Sequence, residues 1–488
     1  MNPLIQLKTI PAFLSTLALL CIGLLPTTQA VVPPPDGGYS NFNTAEGQNA
    51  LQSLTTGSAN TAVGWSSLLT NAAGSFNTAT GAGALLFNTV DYNTATGAAA
   101  LLFNTTGFNN TAVGAAALLN NTIGEENTAT GAFALSSNTE GNFNTATGNR
   151  ALFSNTTGNE NTADGAGALS SNTEGVANTA VGESALFSNT TGIGNTAMGA
   201  LALFANTTAQ SNTATGAQAL FNNTTGGFNT ANGELALVNN TIGEANTATG
   251  RAGLGANTTG NNNTADGLDA LFNNTTGNDN TAVGNLALFS NTSGSSNVAL
   301  GSEAGENATT GSHNVYIGTG MLGVAAESNA CYIASIFGQT SANGIPVLIN
   351  ANSKLGTATS SKRFKEGIKP MEKISAALLA LKPVTFRYKK EIDPAGIRQF
   401  GLVAEDVEKV NPDLVVRDAD GKPYTVRYEA VNAMLLNEFL KEHHKVEKLE
   451  AALTAVTEHL KEQDSKIQKV SVQVELSKPA AQTVNNQR

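Results

Sequence analysis

Cysteine is almost absent from this chain. Its 488 residues include two cysteines, Cys21 and Cys331. Cys21 lies in an N-terminal segment that resembles a signal peptide, so we expect the mature chain to keep Cys331 alone. A single cysteine excludes an intrachain disulfide and a metal site built from several cysteines. Packing and hydrogen bonds must therefore hold the fold together.

Charged residues are also scarce, and they are unevenly distributed. They make up 13% of the chain, against about 25% in typical globular proteins. Residues 1–359 contain four basic and 18 acidic residues, whereas residues 360–488 contain 22 basic and 19 acidic ones. An acidic segment with so few cations is unsuited to phosphate contacts, which argues against nucleic acid as a partner.

Long apolar runs are missing except near the N-terminus, where Phe13–Leu25 follows Lys8 and precedes the residues Thr28-Gln29-Ala30. The run falls short of the ~18–20 apolar residues that span a membrane. This pattern favours a secretory signal peptide over residues 1–30, with a membrane anchor as the alternative. We expect a secreted, extracellular or cell-surface protein without a transmembrane anchor, in which residues 31–42 are a linker.

The sequence does contain a long internal repeat. The unit Asn-Thr-Ala-x-Gly-x-x-Ala-Leu recurs over residues 43–318 at a step of 17 residues, with a single step of 16. Fixed spacing of this kind is typical of a solenoid, in which each unit forms one coil and stacking supplies the core. The leading residues are Asn43, Asn60, Asn77, Asn93, Asn110, Asn127, Asn144, Asn161, Asn178, Asn195, Asn212, Asn229, Asn246, Asn263, Asn280, Asn297 and Asn314.

Each unit predicts two short strands and two turns. In the unit that begins at Asn110, residues 110–114 alternate in size, Ala116–Leu119 is a second apolar run, and Asn120–Gly124 is a turn. Stacking would place Leu over Leu and Asn over Asn. At ~4.8 Å per coil, the array would be about 80 Å long. Frequent glycine argues against helix, and the regular Leu and Phe positions argue against disorder.

The last units resemble a known family. Asn297-Val298-Ala299-Leu300-Gly301 and Asn314-Val315-Tyr316-Ile317-Gly318 are similar to the head repeats of trimeric autotransporter adhesins. The resemblance implies a parallel β-roll in which three chains pack side by side. The 17-residue period is longer than the usual repeat of that family.

Residues 319–359 are interpreted as a connector. Cys331–Phe337 and Ile345–Ile349 predict strands, with Asn343-Gly344 as the turn between them. Residues 352–357 are predicted to be flexible. Cys331 lies inside a strand-like run and is expected to be a small buried side chain.

The sequence from Ser360 to about Leu453 carries a second and stronger resemblance, and residues 360–432 are its predicted domain. Its ordered motifs are Ser360-x-x-Arg363-x-Lys365, Leu381–Tyr388, Phe400–Val407, Pro412–Val415 and Val426–Tyr428. These motifs are similar to those of the endosialidase-type intramolecular chaperones, which are auto-peptidase domains at the C-terminal ends of phage tail spikes and bacterial surface fibres.

The resemblance implies that three chains trimerise, the fibre folds, and each chain then cuts itself between Thr359 and Ser360. Ser360 would be the nucleophile and Lys365 the base.

The chemistry of this pair is reasonable, because a neutral lysine can take the proton of a serine hydroxyl. Residues five apart share neither a helix face nor a strand face. The pair therefore needs a turn between Ser360 and Lys365, or else Lys365 of a neighbouring chain. Many relatives have Asp after the serine, where this chain has Ser361. A module that never cuts, and stays as a permanent cap, is the alternative.

The remainder of the module predicts a mixed fold. Lys373–Leu381 and Ala404–Val410 predict helices, Val384–Tyr388 and Tyr424–Tyr428 predict strands, and residues 418–421 predict a hairpin turn rather than a calcium loop. A coiled-coil helix is predicted over residues 433–476, and a disordered tail over 477–488. The residues that step by seven in this helix are Phe439, Val446, Leu453, Leu460, Ile467 and Val474.

The sequence therefore predicts a mainly β protein. A stacked, trimeric β-solenoid of 17-residue repeats would precede a small α+β chaperone domain and a coiled coil. We expect an adhesin-like or structural homotrimeric fibre, without cofactor or metal, whose ligand would be carbohydrate or a cell surface. The alternative, a fibre that degrades glycans, needs paired carboxylates, whereas Asp164, Asp266 and Asp269 are isolated.

Overall fold

A computed structural model describes residues 39–350, 352–418 and 420–478. The described chain divides into two compact units, residues 39–339 and 340–478. The predicted signal peptide, most of the predicted linker and residues 479–488 of the predicted tail lie outside the described residues.

The first unit is a β-solenoid, as the repeat predicted. After a short 3₁₀ turn, Ser40–Phe42, eighteen strands of three residues pair in parallel, each in register with the strands one coil before and one coil after it. These strands, β1 to β18, are Thr44–Glu46, Thr61–Val63, Thr78–Thr80, Thr94–Thr96, Thr111–Val113, Thr128–Thr130, Thr145–Thr147, Thr162–Asp164, Thr179–Val181, Thr196–Met198, Thr213–Thr215, Thr230–Asn232, Thr247–Thr249, Thr264–Asp266, Thr281–Val283, Val298–Leu300, Val315–Ile317 and Cys331–Ile333.

Each coil has one strand, so the prediction of two strands per unit is wrong. In the coil that begins at Asn110, the second apolar run is a turn in which Ala116 and Leu118 have φ of 54° and 50°. The N–H of Leu118 still donates to the carbonyl of Ala134 in the next coil, at 2.9 Å. The left-handed backbone turns the leucine inward at each coil, and the burial of its side chain offsets the strain of about 1–2 kcal/mol.

The interior of the solenoid is narrow and consists mainly of alanine and leucine. In the same coil, Ala112 at the centre of the strand, Ala117 and Leu118 are all fully buried. The same three positions are buried in nearly every coil. Because the core is only one or two side chains wide, each coil depends on its neighbours for most of its buried area.

Two columns of buried asparagine run along the array. The Oδ1 of Asn144 accepts the N–H and the Nδ2 of Asn161, each at 3.1 Å. The Nδ2 of Asn144 donates to the carbonyl of Gly158 at 2.8 Å, and Asn155 from the second column donates to the same carbonyl at 2.9 Å. Asn155 also donates to Oδ1 of Asn138 at 2.8 Å. The amides thereby satisfy backbone groups that the turns leave without a partner.

Glycine after each strand is required by the stacking. Gly131 has φ of 137°, and a Cβ there would lie 2.4 Å from the carbonyl oxygen of Gly148 in the next coil. Any side chain would push the coils apart at this corner, and the backbone conformation also excludes other residues.

Aromatic side chains close the C-terminal end of the solenoid. Tyr316 is fully buried and stacks on Tyr332 with ring centroids 5.7 Å apart. The hydroxyl of Tyr332 donates to Glu327 at 2.5 Å, and this hydrogen bond raises the pKa of Tyr332 to about 12. The larger rings fill the end of a core that alanine and leucine fill elsewhere, as capping repeats do.

The connector contains a strand in each of the two predicted segments, but the two strands do not pair with each other. β18 pairs with β17 in the solenoid, whereas β19 (Val347–Ile349) pairs with β20 (Leu355–Thr357), which lies in the segment predicted to be flexible. Asn343 does lie in a turn, but the turn does not join two paired strands. Cys331 is exposed, contrary to the prediction, because Tyr332 takes the inward position of this strand.

The second unit is small and mixed. Its core consists of Val407, Leu414, Val426 and Met434 with partly buried neighbours. None of the described helices is both long and apolar enough to cross a membrane. The elements are 3₁₀ helices Lys362–Phe364, Ile374–Ala380 and Pro412–Leu414, strands β21 (Val384–Phe386), β22 (Gln399–Gly401), β23 (Val415–Arg417) and β24 (Pro423–Val426), and helices α1 (Ala404–Val410) and α2 (Tyr428–Leu476).

The asparagine columns give a first testable prediction. Asn144→Ala should lower the free energy of unfolding by about 1–3 kcal/mol, because the buried N–H of Asn161 loses its acceptor. The control is Asn149→Ala, at an exposed asparagine of the same coil, where we expect a change within about 0.5 kcal/mol. Denaturant titration followed by circular dichroism measures both, and equal effects would contradict a structural role of the column.

Candidate functional site

The candidate site lies just after the hairpin of β19 and β20. Ser360 follows β20 by three residues, and the 3₁₀ turn Lys362–Phe364 reverses the chain directly afterwards. The N–H of Lys365 donates to the carbonyl of Lys362 at 3.1 Å and closes this turn. The Nζ of Lys365 thereby comes within 3.0 Å of the Oγ of Ser360, to which it donates a hydrogen bond.

The sequence left open whether a turn or a neighbouring chain brings Lys365 to Ser360, and the turn does so within one chain. Neither a helix nor a strand could place these two side chains together. Their contact needs no neighbouring chain. Both side chains are exposed. They lie in an open groove of about 620 Å³, lined by Ser360, Lys362, Lys365, Gly367 and Ile368.

The groove is positively charged. Lys362 and Arg363 flank the serine, and the guanidinium carbon of Arg363 lies 4.6 Å from the ring centroid of Phe364. Among the described residues, no carboxylate comes within salt-bridge distance of Lys365. Ser361 begins the turn in an extended conformation, and its side chain makes no capping hydrogen bond. The pair thus lacks a third, acidic group to orient the lysine.

A second polar cluster was not predicted from the sequence. Ser375 is fully buried, and its Oγ donates to Glu438 on α2 at 2.5 Å. Asn437 and Lys441 donate to the same Oγ at 2.6 and 3.1 Å, and Lys441 also bonds to Glu438 at 2.6 Å. The cluster fastens the 3₁₀ helix Ile374–Ala380 to α2. Only the spacing of 437, 438 and 441 on one helix face could have indicated it.

The second unit exposes many apolar side chains. On α2, Phe439, Leu449 and Leu453 are 65%, 68% and 67% exposed. A further open groove of about 510 Å³ has mostly apolar walls, to which Leu378 and Phe400 contribute. Such continuous apolar surface is typical of a face that binds another chain.

The predicted hairpin turn and a pair of histidines on α2 lie elsewhere in the second unit. The Oδ1 of Asp418 accepts the N–H groups of Asp420 and Lys422 at 3.0 and 2.9 Å, so this segment is the predicted hairpin turn between β23 and β24. His443 and His444 both lie beside Glu447, at 3.4 and 3.0 Å. The hydrogen bond from His444 lowers the pKa of the Glu447 carboxyl.

Comparison with known proteins supports the identity of this module. Residues 360–416 match the model of a family described as chaperone of endosialidase, which is named as a peptidase family. The match begins at Ser360, so the resemblance inferred from the motifs is confirmed for this segment. No curated protein and no solved structure matches the chain.

The cluster of Ser375, Glu438 and Lys441 predicts how the second unit responds to acid. The hydrogen bonds from Lys441 and Ser375 lower the pKa of Glu438 below its ordinary value. The ionised form is therefore favoured in the folded state, and its stabilising effect is present above the unfolded pKa of about 4.3. This effect is lost as pH falls through the lower folded value.

We therefore expect Glu438→Gln to lose less stability than the wild type on acidification below about pH 4.3. The measurement is the loss of helix, followed by circular dichroism during thermal denaturation at several pH values. Glu458→Gln, an exposed change of the same charge on α2, is the matched control and should follow the wild type. A wild-type acid response from Glu438→Gln would contradict the assigned role.

Proposed function

We propose, from the chaperone-of-endosialidase match at residues 360–416, that this chain forms a secreted or cell-surface homotrimeric fibre whose C-terminal module assembles it and then cuts itself off. The cut lies between Thr359 and Ser360. The observation that carries the proposal is the 3.0 Å contact between Lys365 and Ser360, at the first residue of the family match.

The proposed reaction uses only groups of the chain and one water molecule. Neutral Lys365 takes the hydroxyl proton of Ser360, and the Oγ attacks the carbonyl carbon of Thr359. The amide nitrogen of Ser360 leaves with a proton returned from Lys365, so an ester replaces the peptide bond. Water then hydrolyses this ester. The products are a carboxylate at Thr359 and a free amine and hydroxyl at Ser360.

The proposal includes a dependence on assembly. The pair lies in an open groove in the single chain, and only a neutral amine can accept the proton of Ser360. Removing such a groove from water would favour the neutral form of an amine, as desolvation does in general. The exposed apolar residues of α2 supply a reason for chains to associate. Trimerisation that covers the groove would thus switch the pair on.

The uncut alternative has its own support. The pair is exposed in the single chain, and Ser361 offers no carboxylate to orient Lys365. In that case the module would drive assembly and stay as a permanent cap. For either version we propose a carbohydrate or cell-surface ligand, since the solenoid exposes neutral polar side chains at each coil, which suit hydroxyl-rich partners.

Intact mass of the purified full chain tests the cut. The wild type should give two fragments that meet between Thr359 and Ser360, and Ser360→Ala should remain whole because the nucleophile is gone. Ser361→Ala is the matched control and should still cut. Whole chains in all three, with a trimeric mass by light scattering, would establish the permanent cap instead.

Mixed trimers test which chain supplies the lysine. Ser360→Ala and Lys365→Ala chains with different tags are denatured, mixed and refolded. Because the contact forms within one chain, we expect no fragment from any mixed trimer. If mixed trimers cut the Lys365→Ala chain and leave the Ser360→Ala chain whole, the lysine acts across chains. Wild-type chains carried through the same procedure verify that refolded trimers can cut.

A further inference from the structure

We propose that the solenoids of three chains pack on one uncharged stripe that faces the threefold axis. The stripe consists of the ninth and tenth residues after the leading asparagine of each coil, from Gln52-Ser53 in the first coil to Phe289-Ser290 in the fifteenth. This inference rests on the proposed homotrimer and adds the face by which its solenoids meet.

The stripe carries none of the charge of the array. The fifteen coils contain 14 acidic and two basic residues, and none of these occupies either stripe position. Several other outward positions carry them; on the strand face, for example, Glu46, Asp164 and Asp266 all occupy the third position after the asparagine. The first and twelfth positions are also free of charge, but they are almost all threonine. The first charge in the stripe positions is Glu306, in the sixteenth coil.

The ninth positions of the stripe are also largely apolar and partly open to solvent, whereas the tenth positions are mostly serine or asparagine. Eleven of the fifteen ninth positions are Leu, Val or Phe. Phe187, Phe204 and Phe221 are half-buried and stack on one another, with centroids 5.3 and 5.2 Å apart. These rings form a regular ridge between the buried leucine and the buried asparagine of each coil, with an uncharged residue beside each of them.

Symmetry explains why an uncharged face can meet its own copies, and the apolar ninth positions favour this stripe over the threonine columns. In a parallel threefold assembly, a column that faces the axis meets the same residue of both other chains at the same height. Any acid there would be repeated three times within a few ångströms, and like charges so close repel strongly when water is excluded. A strongly acidic array can therefore face itself only along an uncharged stripe.

The stripe is long enough to form a stable interface between chains. Fifteen coils at ~4.8 Å give about 70 Å of length. A contact strip about 10 Å wide, the length of about three extended residues, would cover the two stripe positions and one neighbour and bury roughly 700 Å² on each chain. This is close to the ~800 Å² per partner of stable interfaces. A second copy of this chain, aligned in register, therefore fits the stripe as its partner.

Crosslinking tests the assignment in the full chain. In a Cys331→Ser background, Ala205→Cys places a thiol in the stripe, and Gln210→Cys places one at an exposed position of the same coil. A short bis-maleimide should join chains from Ala205→Cys in high yield and from Gln210→Cys hardly at all. Circular dichroism verifies that both variants keep the fold, and light scattering gives the mass.

The outcomes separate this inference from the proposal on which it rests. A trimeric mass would support the trimer whatever the crosslinking shows. With that mass, crosslinking from position 210 alone, from both positions equally or from neither would contradict the stripe as the contact face. A monomeric mass would overturn both. As a second readout, Ser188→Glu with Ala205→Glu should lower the melting temperature of the array, more so at low salt. The matched pair Ser188→Gln with Ala205→Gln should not.

Discussion

The buried asparagine amide is the interaction on which the solenoid depends. A coil of 17 residues with one three-residue strand leaves most of its backbone outside the sheet, and a core of alanine and leucine offers that backbone no polar partner. The amides of Asn144 and Asn155 both donate to the carbonyl of Gly158 and link coil to coil. Because each amide bonds to its own copy one coil away, the repeat must be nearly invariant at these positions.

The dependence of each coil on an identical neighbour explains how much of the fold could be predicted from the sequence. The 17-residue period and the stacking of like residues follow from the repeat itself, and Ala404–Val410 is a helix with the predicted bounds. The prediction of a second strand in each unit was wrong. The apolar run at Ala116–Leu119 resembles a strand in composition, but the positive φ of Leu118 makes it a turn. Positive φ is uncommon for leucine, so nothing in the composition of this run indicates it.

The candidate site was predictable in its residues but not in its geometry. Whether Lys365 reaches Ser360 depends on a single turn that Ser361 begins in an extended conformation, and local sequence does not fix such a choice. The Ser375 cluster was out of reach for another reason. Its members Ser375 and Glu438 lie 63 residues apart, so that only the packing of α2 brings them together.

Because the coils are nearly identical, they specify the register between neighbouring chains weakly, and the second unit is suited to set that register. Chains with the same repeat can associate one coil out of register at the loss of only a terminal coil's contacts, so the array by itself specifies alignment weakly. Features that occur once fix it better: the 16-residue step after Asn77, the ring of Tyr316 at the last coil, and the apolar seam of α2. A C-terminal module that trimerises first would align the chains before the coils stack. In the proposed assembly, the asparagine columns would hold the stacked array without the module, and the proposed cut at Ser360 would release a module that alignment no longer needs.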